Sequence, residues 1–225
     1  VHLPFASNLT DVEPLAAEPG MVVTVASVPQ QLDGADLVIL PGTRATVEDM
    51  RWLVGRGFDH VLRARAGAGL PVLGICGGYQ MLGERIDDDI ESEAGSVAGL
   101  GLLPVTTTFY ADKTLASRRA DLHDGTVVTG YEIRHGVVTR QGAEALFADE
   151  GARHGSVAGT SWHGLFESDG YRRQFLASVA AANGRRFVVS EMDWAGRRDR
   201  QLDRLADLME LHLDCDALAQ LAGTR

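Results

Sequence analysis

Residues 71–83, Pro-Val-Leu-Gly-Ile-Cys-Gly-Gly-Tyr-Gln-Met-Leu-Gly, say most about the fold and chemistry of this chain. An apolar run ends in Cys76, two glycines follow, and residues that suit a helix come next. This layout predicts a nucleophile elbow, a sharp turn between a buried strand and a helix that holds its nucleophile in a strained backbone conformation. Gly74 and Gly78 flank the turn, where a side chain would collide with neighbouring elements. The partial positive charge of the helix amino terminus favours a thiolate at Cys76.

Cys76 also has a plainer interpretation. Free cysteine is among the most buried residue types and often fills a small gap in a core. A strand followed by two glycines can equally be an ordinary tight turn. The motif alone therefore leaves a reactive and a structural cysteine both open. The other cysteine, Cys215, falls in a helical pattern near the carboxyl end and is interpreted as structural.

Length and composition limit the classes of protein to which the chain can belong. Its 225 residues, 45% of them hydrophobic, suffice for one substantial core. A net charge of −10 argues against binding to nucleic acid, and no apolar run is long enough to span a bilayer. The two cysteines form neither a disulfide nor a metal-ligand pattern. We therefore expect a cytoplasmic protein without a metal site.

Apolar strands that alternate with helices predict an α/β fold, doubly wound around a mostly parallel sheet with helices on both faces. We expect residues 1–225 to form a single domain. Strands are predicted at 21–27, 35–40 and 70–75, and a helix at about 47–65. More antiparallel strands are predicted at 100–109, 126–133 and 137–140, and further helices at 166–184 and about 198–221.

The first residues, Val1-His-Leu-Pro4, look like the end of a strand whose beginning is missing. Strands normally show four or more residues before a break, so we expect an upstream domain in a longer polypeptide. The sequence contains no Gly-x-x-x-x-Gly-Lys-[Ser/Thr] phosphate-binding motif. Nucleotide chemistry is therefore not assigned to these residues.

A cysteine nucleophile needs a histidine that takes its proton and returns it to the leaving group. Among the seven histidines, His163 is the best placed, since a short apolar strand reaches it, Gly164 allows a tight turn and a helix begins soon after. His135, at a strand end beside a glycine, remains a second candidate. Either histidine can instead be a surface residue or a hydrogen-bonded core residue.

Three segments together resemble a Cys-His glutamine amidotransferase domain. They are Gly-Ile-Cys76-Gly-Gly-Tyr-Gln-Met-Leu-Gly, Leu-Val-Ile-Leu-Pro41-Gly42-Thr and Gly-Thr-Ser-Trp-His163-Gly-Leu-Phe. The resemblance implies a fold of the class I glutamine amidotransferase type, which is flavodoxin-like, with the elbow at the carboxyl edge of the sheet.

More narrowly, the chain is similar to the glutaminase domain of the cobyric acid synthase (CobQ) family. That family begins with Leu-Pro-x-x-Ser-Asn-x-Thr-Asp, matched by residues 3–11. Its Gly-Tyr-Glu-Ile is matched by residues 130–133, and its closing Leu-Asp-Arg-Leu-Ala-Asp helix by residues 202–207. The similarity covers essentially the whole chain.

The resemblance implies roles for particular residues. Cys76 would attack the side-chain amide carbon of glutamine, giving a γ-glutamyl thioester and ammonia, while His163 would act as base and then as acid. Backbone N–H groups at Gly77 and in the turn around Gly42 would form the oxyanion hole.

Two further roles follow from the resemblance. Tyr79 and Gln80 would help to hold the glutamine substrate. Many relatives have a glutamate two residues after the histidine, which orients the imidazole, but Leu165 stands there in this chain. Glu132 and Glu167 are therefore the conceivable orienting groups.

The same resemblance implies that the enzyme is the glutamine-hydrolysing half of an amide-forming ligase. Its ammonia would reach an upstream ATP-dependent synthetase domain that amidates adenosyl-cobyrinic acid a,c-diamide on the way to cobalamin. ATP and Mg²⁺ would bind there, and no cofactor is expected in the present residues. Three alternatives remain: the glutaminase part of a sister synthase acting on cobyrinic acid or a cell-wall lipid intermediate, a non-catalytic docking module, and a cysteine hydrolase such as a peptidase of the same fold.

Overall fold

The computed structural model describes residues 1–221 and 223. The single domain predicted over residues 1–225 stays a prediction. The structure has two compact units, Val1–Ser190 and Glu191–Arg225. The first unit contains both sheets and the predicted elbow. The second unit consists of two helices. Among the described residues, no helix is both long and apolar enough to cross a membrane.

The central sheet has the strand order β1-β2-β8-β7. Strands β1, β2 and β8 are parallel, and β7 is an antiparallel edge strand. Every residue of β2 is buried, as expected for an apolar strand that is covered on both faces. This sheet confirms the predicted mostly parallel architecture. The strands are β1 (Val38–Leu40), β2 (Val72–Ile75), β7 (Ala152–His154) and β8 (Val157–Thr160).

A second sheet has the strand order β4-β3-β5-β6 and is largely antiparallel. Its strands are β3 (Arg85–Asp88), β4 (Gly95–Ala98), β5 (Val105–Asp121) and β6 (Val127–Arg140). The sequence correctly predicts the antiparallel style but breaks β6 at residues 134–136. In the structure Gly136 pairs with Phe109 within the ladder. The strand continues through the glycine, although the register of the ladder shifts here, between the pairs Gly136–Phe109 and Arg134–Thr114.

The helices are α1 (Glu13–Ala17), α2 (Thr46–Gly55), α3 (Phe58–Gly67), α4 (Gly77–Leu82), α5 (Asp169–Ala182), α6 (Trp194–His212) and α7 (Cys215–Leu221). Two helices predicted as continuous are each divided in the structure. The helix predicted at 47–65 is divided into α2 and α3 by Gly57, whose φ of 80° is left-handed. The helix predicted at 198–221 is divided by Leu213, which has an extended backbone.

The strand predicted at residues 21–27 is wrong, since the structure assigns no strand to this fully described segment. Its backbone accepts a hydrogen bond from the amino-terminal residues, in which His2 N donates to Ala26 O over 2.8 Å. Val22 and Val25 are 84% and 63% exposed. A valine-rich composition favours a strand only where a neighbour completes the ladder, because β-propensity largely reflects packing against other strands.

Helices cover both faces of the central sheet, and each face has its own hydrophobic cluster. Alternate residues of β2 point to opposite faces. Val72 packs in the cluster that includes Leu53 of α2 and Leu62 of α3. Leu73 and Ile75 pack in the cluster that includes the apolar face of α5. The elbow that follows β2 is therefore held between two packed layers.

Candidate active site

The predicted nucleophile elbow is present between β2 and α4. Cys76 has φ 51° and ψ −109°, a conformation that side chains rarely adopt and that costs about 1–3 kcal/mol. Backbone hydrogen bonds hold it there, since Cys76 N donates to Thr160 O of β8 over 2.8 Å and Gln80 N donates to Cys76 O over 3.0 Å. Strain that is maintained by surrounding bonds is typical of functional sites.

Close approach of the backbone explains the two flanking glycines. A Cβ atom on Gly78 would lie 2.1 Å from Leu40 O of β1. A Cβ atom on Gly74 would lie 2.6 Å from the carbonyl group of Gly78. Both distances are shorter than any real contact, so the tight turn requires glycine at both positions.

His163 lies just beyond β8 and forms a buried pair with an acidic residue. Its Nδ1 atom is 2.7 Å from Oδ2 of Asp11. The other carboxylate oxygen of Asp11 accepts a hydrogen bond from Gly164 N over 2.8 Å. Because both oxygens have partners, the carboxylate is fixed and the imidazole ring is oriented with it.

Asp11 was not among the residues that the sequence predicted to orient His163, which were Glu132 and Glu167. Nδ1 of His163 meets Asp11 rather than Glu132 or Glu167. Glu132 is buried elsewhere and accepts hydrogen bonds from Arg118 over 3.0 Å and Arg134 over 3.4 Å.

Asp11 lies in a 3₁₀ helix, Leu9–Val12, 152 residues before His163. The sequence contained one signal for it, the closing Thr-Asp of the matched segment 3–11. A conspicuous acidic residue in a short polar segment is usually a helix cap. Its contact with His163 comes only from the folded chain.

The surroundings of His163 favour its charged form. Burial by itself lowers the pKa of His163, but hydrogen bonds with Asp11 and Cys76, together with their charges, raise it to about 9. The ring is further positioned by Tyr131, which stacks on it with 5.3 Å between the ring centroids. An imidazolium beside the thiol is the arrangement that activates catalytic cysteines.

A cavity of about 360 Å³ opens onto this pair and is lined by Cys76, His163 and Gln80. The Gln80 amide is oriented, because its Oε1 accepts a hydrogen bond from Thr46 Oγ1 over 3.2 Å. The second histidine candidate, His135, also lines the cavity, but its Nδ1 is 3.2 Å from Tyr110 O.

Tyr79 occupies a different place from the one predicted. It is buried in the core and is not among the residues that line the cavity. Its ring lies against Gly159 of β8, where an added Cβ would be 2.0 Å from the ring. A side chain in that position supports the elbow from behind and does not line the cavity, unlike the predicted contact with substrate.

The two glycines predicted for the oxyanion hole lie beside Cys76 and His163. A Cβ atom on Gly42 would be 2.8 Å from Cε1 of His163. A Cβ atom on Gly77 would be 2.5 Å from Cγ2 of Thr43 and 3.1 Å from its backbone nitrogen. The Gly42–Thr43 turn and the start of α4 are therefore in contact next to Cys76.

Comparison with known proteins identifies the family. The family model described as the CobB/CobQ-like glutamine amidotransferase domain matches residues 1–171. The chain belongs to this family. The match confirms the resemblance found in the sequence and makes this CobB/CobQ-like domain a member of an enzyme family. Among its described residues, no group of three or more His, Cys, Asp or Glu side chains is placed to hold a metal ion.

Curated relatives of this CobB/CobQ-like domain are considerably longer than the chain. It is 55% identical over 223 residues to cobyric acid synthase of Frankia casuarinae, covering 98% of this chain and 43% of that protein. It is 54% identical over 220 residues to cobyric acid synthase of Streptomyces avermitilis, covering 97% and 43%. The chain thus spans less than half the length of these relatives.

A solved structure supports the fold. A protein described as a glutamine amidotransferase superposes with a TM-score of 0.63 and 20% identity, covering 78% of this chain and 95% of the other. At this identity the likeness concerns the fold alone. It agrees with the predicted class I amidotransferase architecture.

Proposed function

We propose that this domain hydrolyses glutamine to glutamate and ammonia through a thioester on Cys76. The observation that carries the proposal is the buried Asp11–His163 pair beside a cysteine in a strained elbow. Each member has a place in amide hydrolysis: Cys76 as nucleophile, His163 as the group that carries the proton, and Asp11 as the group that orients it. Family membership supports glutamine as the source of the amide.

The proposed reaction begins with attack of the Cys76 thiolate on the side-chain amide carbon of glutamine. The resulting oxyanion accepts hydrogen bonds from the N–H of Gly77 and from the Gly42–Thr43 turn. Protonated His163 then donates its Nε2 proton to the amide nitrogen, the carbon–nitrogen bond breaks and ammonia leaves. In the second half, His163 takes a proton from water, which attacks the thioester and releases glutamate and the Cys76 thiolate.

Asp11 acts by fixing the tautomer of the ring. Since Nδ1–H of His163 is donated to the carboxylate over 2.7 Å, Nε2 remains the atom that exchanges protons at the reaction centre. The charge of Asp11 also stabilises the imidazolium form. Glu132 and Glu167 have no part in this proposal.

For the full-length protein, we propose that ammonia passes to an upstream ATP-dependent synthetase domain. The relatives named cobyric acid synthase support this assignment, because the chain accounts for 43% of their length. The acceptor would be adenosyl-cobyrinic acid a,c-diamide, and ATP and Mg²⁺ would bind outside the present chain. We expect slow glutamine hydrolysis by the isolated domain, since contacts with a partner usually complete such sites.

The alternatives are weaker. A docking module of the same fold has no need of a nucleophile and a base, whereas here Cys76 and His163 share one cavity. A sister synthase remains the second candidate, because the family model covers both CobB-like and CobQ-like domains. Amidation assays with cobyrinic acid and with its a,c-diamide distinguish these two enzymes.

The proposal is tested by labelling with 6-diazo-5-oxo-norleucine, an electrophilic glutamine mimic, followed by peptide mass mapping. We expect one label per chain at Cys76, protection by glutamine, and no label in Cys76→Ser. Cys215→Ser is the matched control and should label normally, since Cys215 is exposed in the other unit. Absence of labelling at Cys76, both in this domain and in the full-length protein with ATP, would contradict the proposal.

A further inference from the structure

The loop after β3 places a carboxylate at the mouth of the active-site cavity. Glu91 lines the same cavity as Cys76, Gln80 and His163, and its side chain is exposed to solvent there. None of the proposed chemical steps uses it. An acidic group over a nucleophile is costly for chemistry that begins with a thiolate, because like charges disfavour each other's ionised form. We therefore expect Glu91 to take part in binding a ligand rather than in the chemical steps.

The loop that carries Glu91 is rigidly held by a second acid. Asp88, at the end of β3, is fully buried. One of its oxygens accepts hydrogen bonds from the N–H of Ile90 over 3.1 Å and of Glu91 over 2.7 Å. The other accepts from Ser92 N over 3.0 Å and Ser92 Oγ over 2.6 Å. Although burial raises the pKa of Asp88, these bonds hold it below its usual value. Glu91 is thus preorganised, which lowers the entropic cost of binding a ligand.

Cationic side chains outnumber acidic ones around the mouth of the active-site cavity. Among the described residues that line the cavity, Glu91 is the single acid. The lining also contains three cations and two ionisable rings, which are Arg44, Lys113, Arg134, His135 and His163. Burial raises the pKa of Glu91, and the nearby charges of His135 and Lys113 offset this only in part. Within the described part of the chain, no cation forms an ion pair with the Glu91 carboxylate. The carboxylate is therefore available to an incoming positive charge, and the cations suit a negative one.

Glutamine carries one positive and one negative group, both on its α-carbon, at the end of the molecule opposite to the side-chain amide. With the amide carbon at Cys76, the α-carbon with its ammonium and carboxylate groups lies three bonds further out, toward the mouth. We propose that Glu91 binds the α-ammonium group of glutamine and so selects an α-amino acid over a simple amide, with Asp88 as its positioning residue. This inference rests on the proposed glutaminase function and adds a specificity determinant to it.

The test compares glutamine with glutaramate, the same amide acid without the α-amino group, using ammonia release by the full-length protein. We expect the unaltered protein to prefer glutamine strongly. Glu91→Gln should raise KM for glutamine on the order of tenfold or more, leave kcat within about threefold, and leave turnover of glutaramate unchanged. Glu91→Asp should retain part of the preference, because it keeps the charge. Asp88→Asn should resemble Glu91→Gln in KM while lowering the melting temperature.

Glu93→Gln is the matched control, since Glu93 lies in the same loop but does not line the cavity. It should leave both substrates unaffected. The assignment is overturned if Glu91→Gln retains the preference for glutamine, or if it loses activity toward both substrates equally. Failure of the unaltered protein to release ammonia from either substrate would instead overturn the proposed function, and this assignment with it.

Discussion

Replacing Asp11 with asparagine tests the active-site geometry most directly, because the side chain keeps its shape and loses its charge. The amide oxygen can still accept from Gly164 N, which leaves the amide N–H₂ facing Nδ1 of His163. The ring must then accept at Nδ1 and carry its single proton on Nε2, the wrong tautomer for a base. We expect kcat to fall by about 10³–10⁴-fold with little change in KM, as is typical when an orienting carboxylate is lost.

The same variant has a calculable effect on stability. The pKa of His163 is about 9 in the folded protein and about 6.5 in an unfolded chain, so the folded state holds the proton more tightly. The resulting stabilisation is about 3 kcal/mol below pH 6, decreases as the pH rises through 9, and is nearly absent at about pH 10. Asp11→Asn should remove the share of this stabilisation that comes from Asp11, while the share from Cys76 remains. The two proteins should therefore differ in unfolding free energy more at pH 6 than at pH 10.

Urea unfolding at pH 6 and at pH 10 measures this difference, while ammonia release and labelling of Cys76 measure the catalytic effect. Asp33→Asn, at an exposed position, is the control and should change neither. Activity of Asp11→Asn within about threefold of the unaltered protein would refute the orienting role. A loss of stability that is equal at both pH values would refute the assigned protonation of His163.

Three further predictions concern the elbow and the buried charges. Cys76→Gly should be inactive yet more stable to urea than Cys76→Ala by about 1 kcal/mol or more, because glycine relieves the positive φ; the opposite order would contradict strain at this position. Gly78→Ala should unfold the domain or lower its stability by several kcal/mol, because the added Cβ would collide with the β1 backbone. Gly67→Ala is the control, since this position in α3 faces open space, and it should stabilise the domain by about 0.5–1 kcal/mol in thermal denaturation. Glu18→Gln should cost about 1–3 kcal/mol in urea unfolding, because it neutralises one of the two carboxylates that pair with the buried Arg172 and Asp169 keeps the other. A stability equal to that of the unaltered protein would contradict this prediction.

The elements that could be predicted are those that depend only on residues close together in the chain. The elbow was predictable because an apolar run, a nucleophile and two glycines are consecutive in the chain and need only their own backbone to form the turn. His163 was predictable as the partner because a strand end, a glycine and a helix start surround it. Division of the predicted helix at Gly57 was missed, because a single glycine within a helical pattern is often tolerated. The strand predicted at residues 21–27 was wrong for a different reason. Its valine-rich sequence forms a strand only beside a neighbouring strand, and the local sequence does not show whether one is present.

The sequence by itself determined the turn at Cys76, the mostly parallel sheet and the family resemblance, because each depends on residues that are adjacent in the chain or repeat with a regular period. The tertiary structure alone decided which carboxylate meets His163, that Tyr79 is buried away from the cavity, and where Glu91 lies. Asp11 and His163 are 152 residues apart, and only packing brings their side chains to 2.7 Å. Which side of a helix faces a cavity, and which carboxylate meets which ring, depends on how the elements are stacked in space.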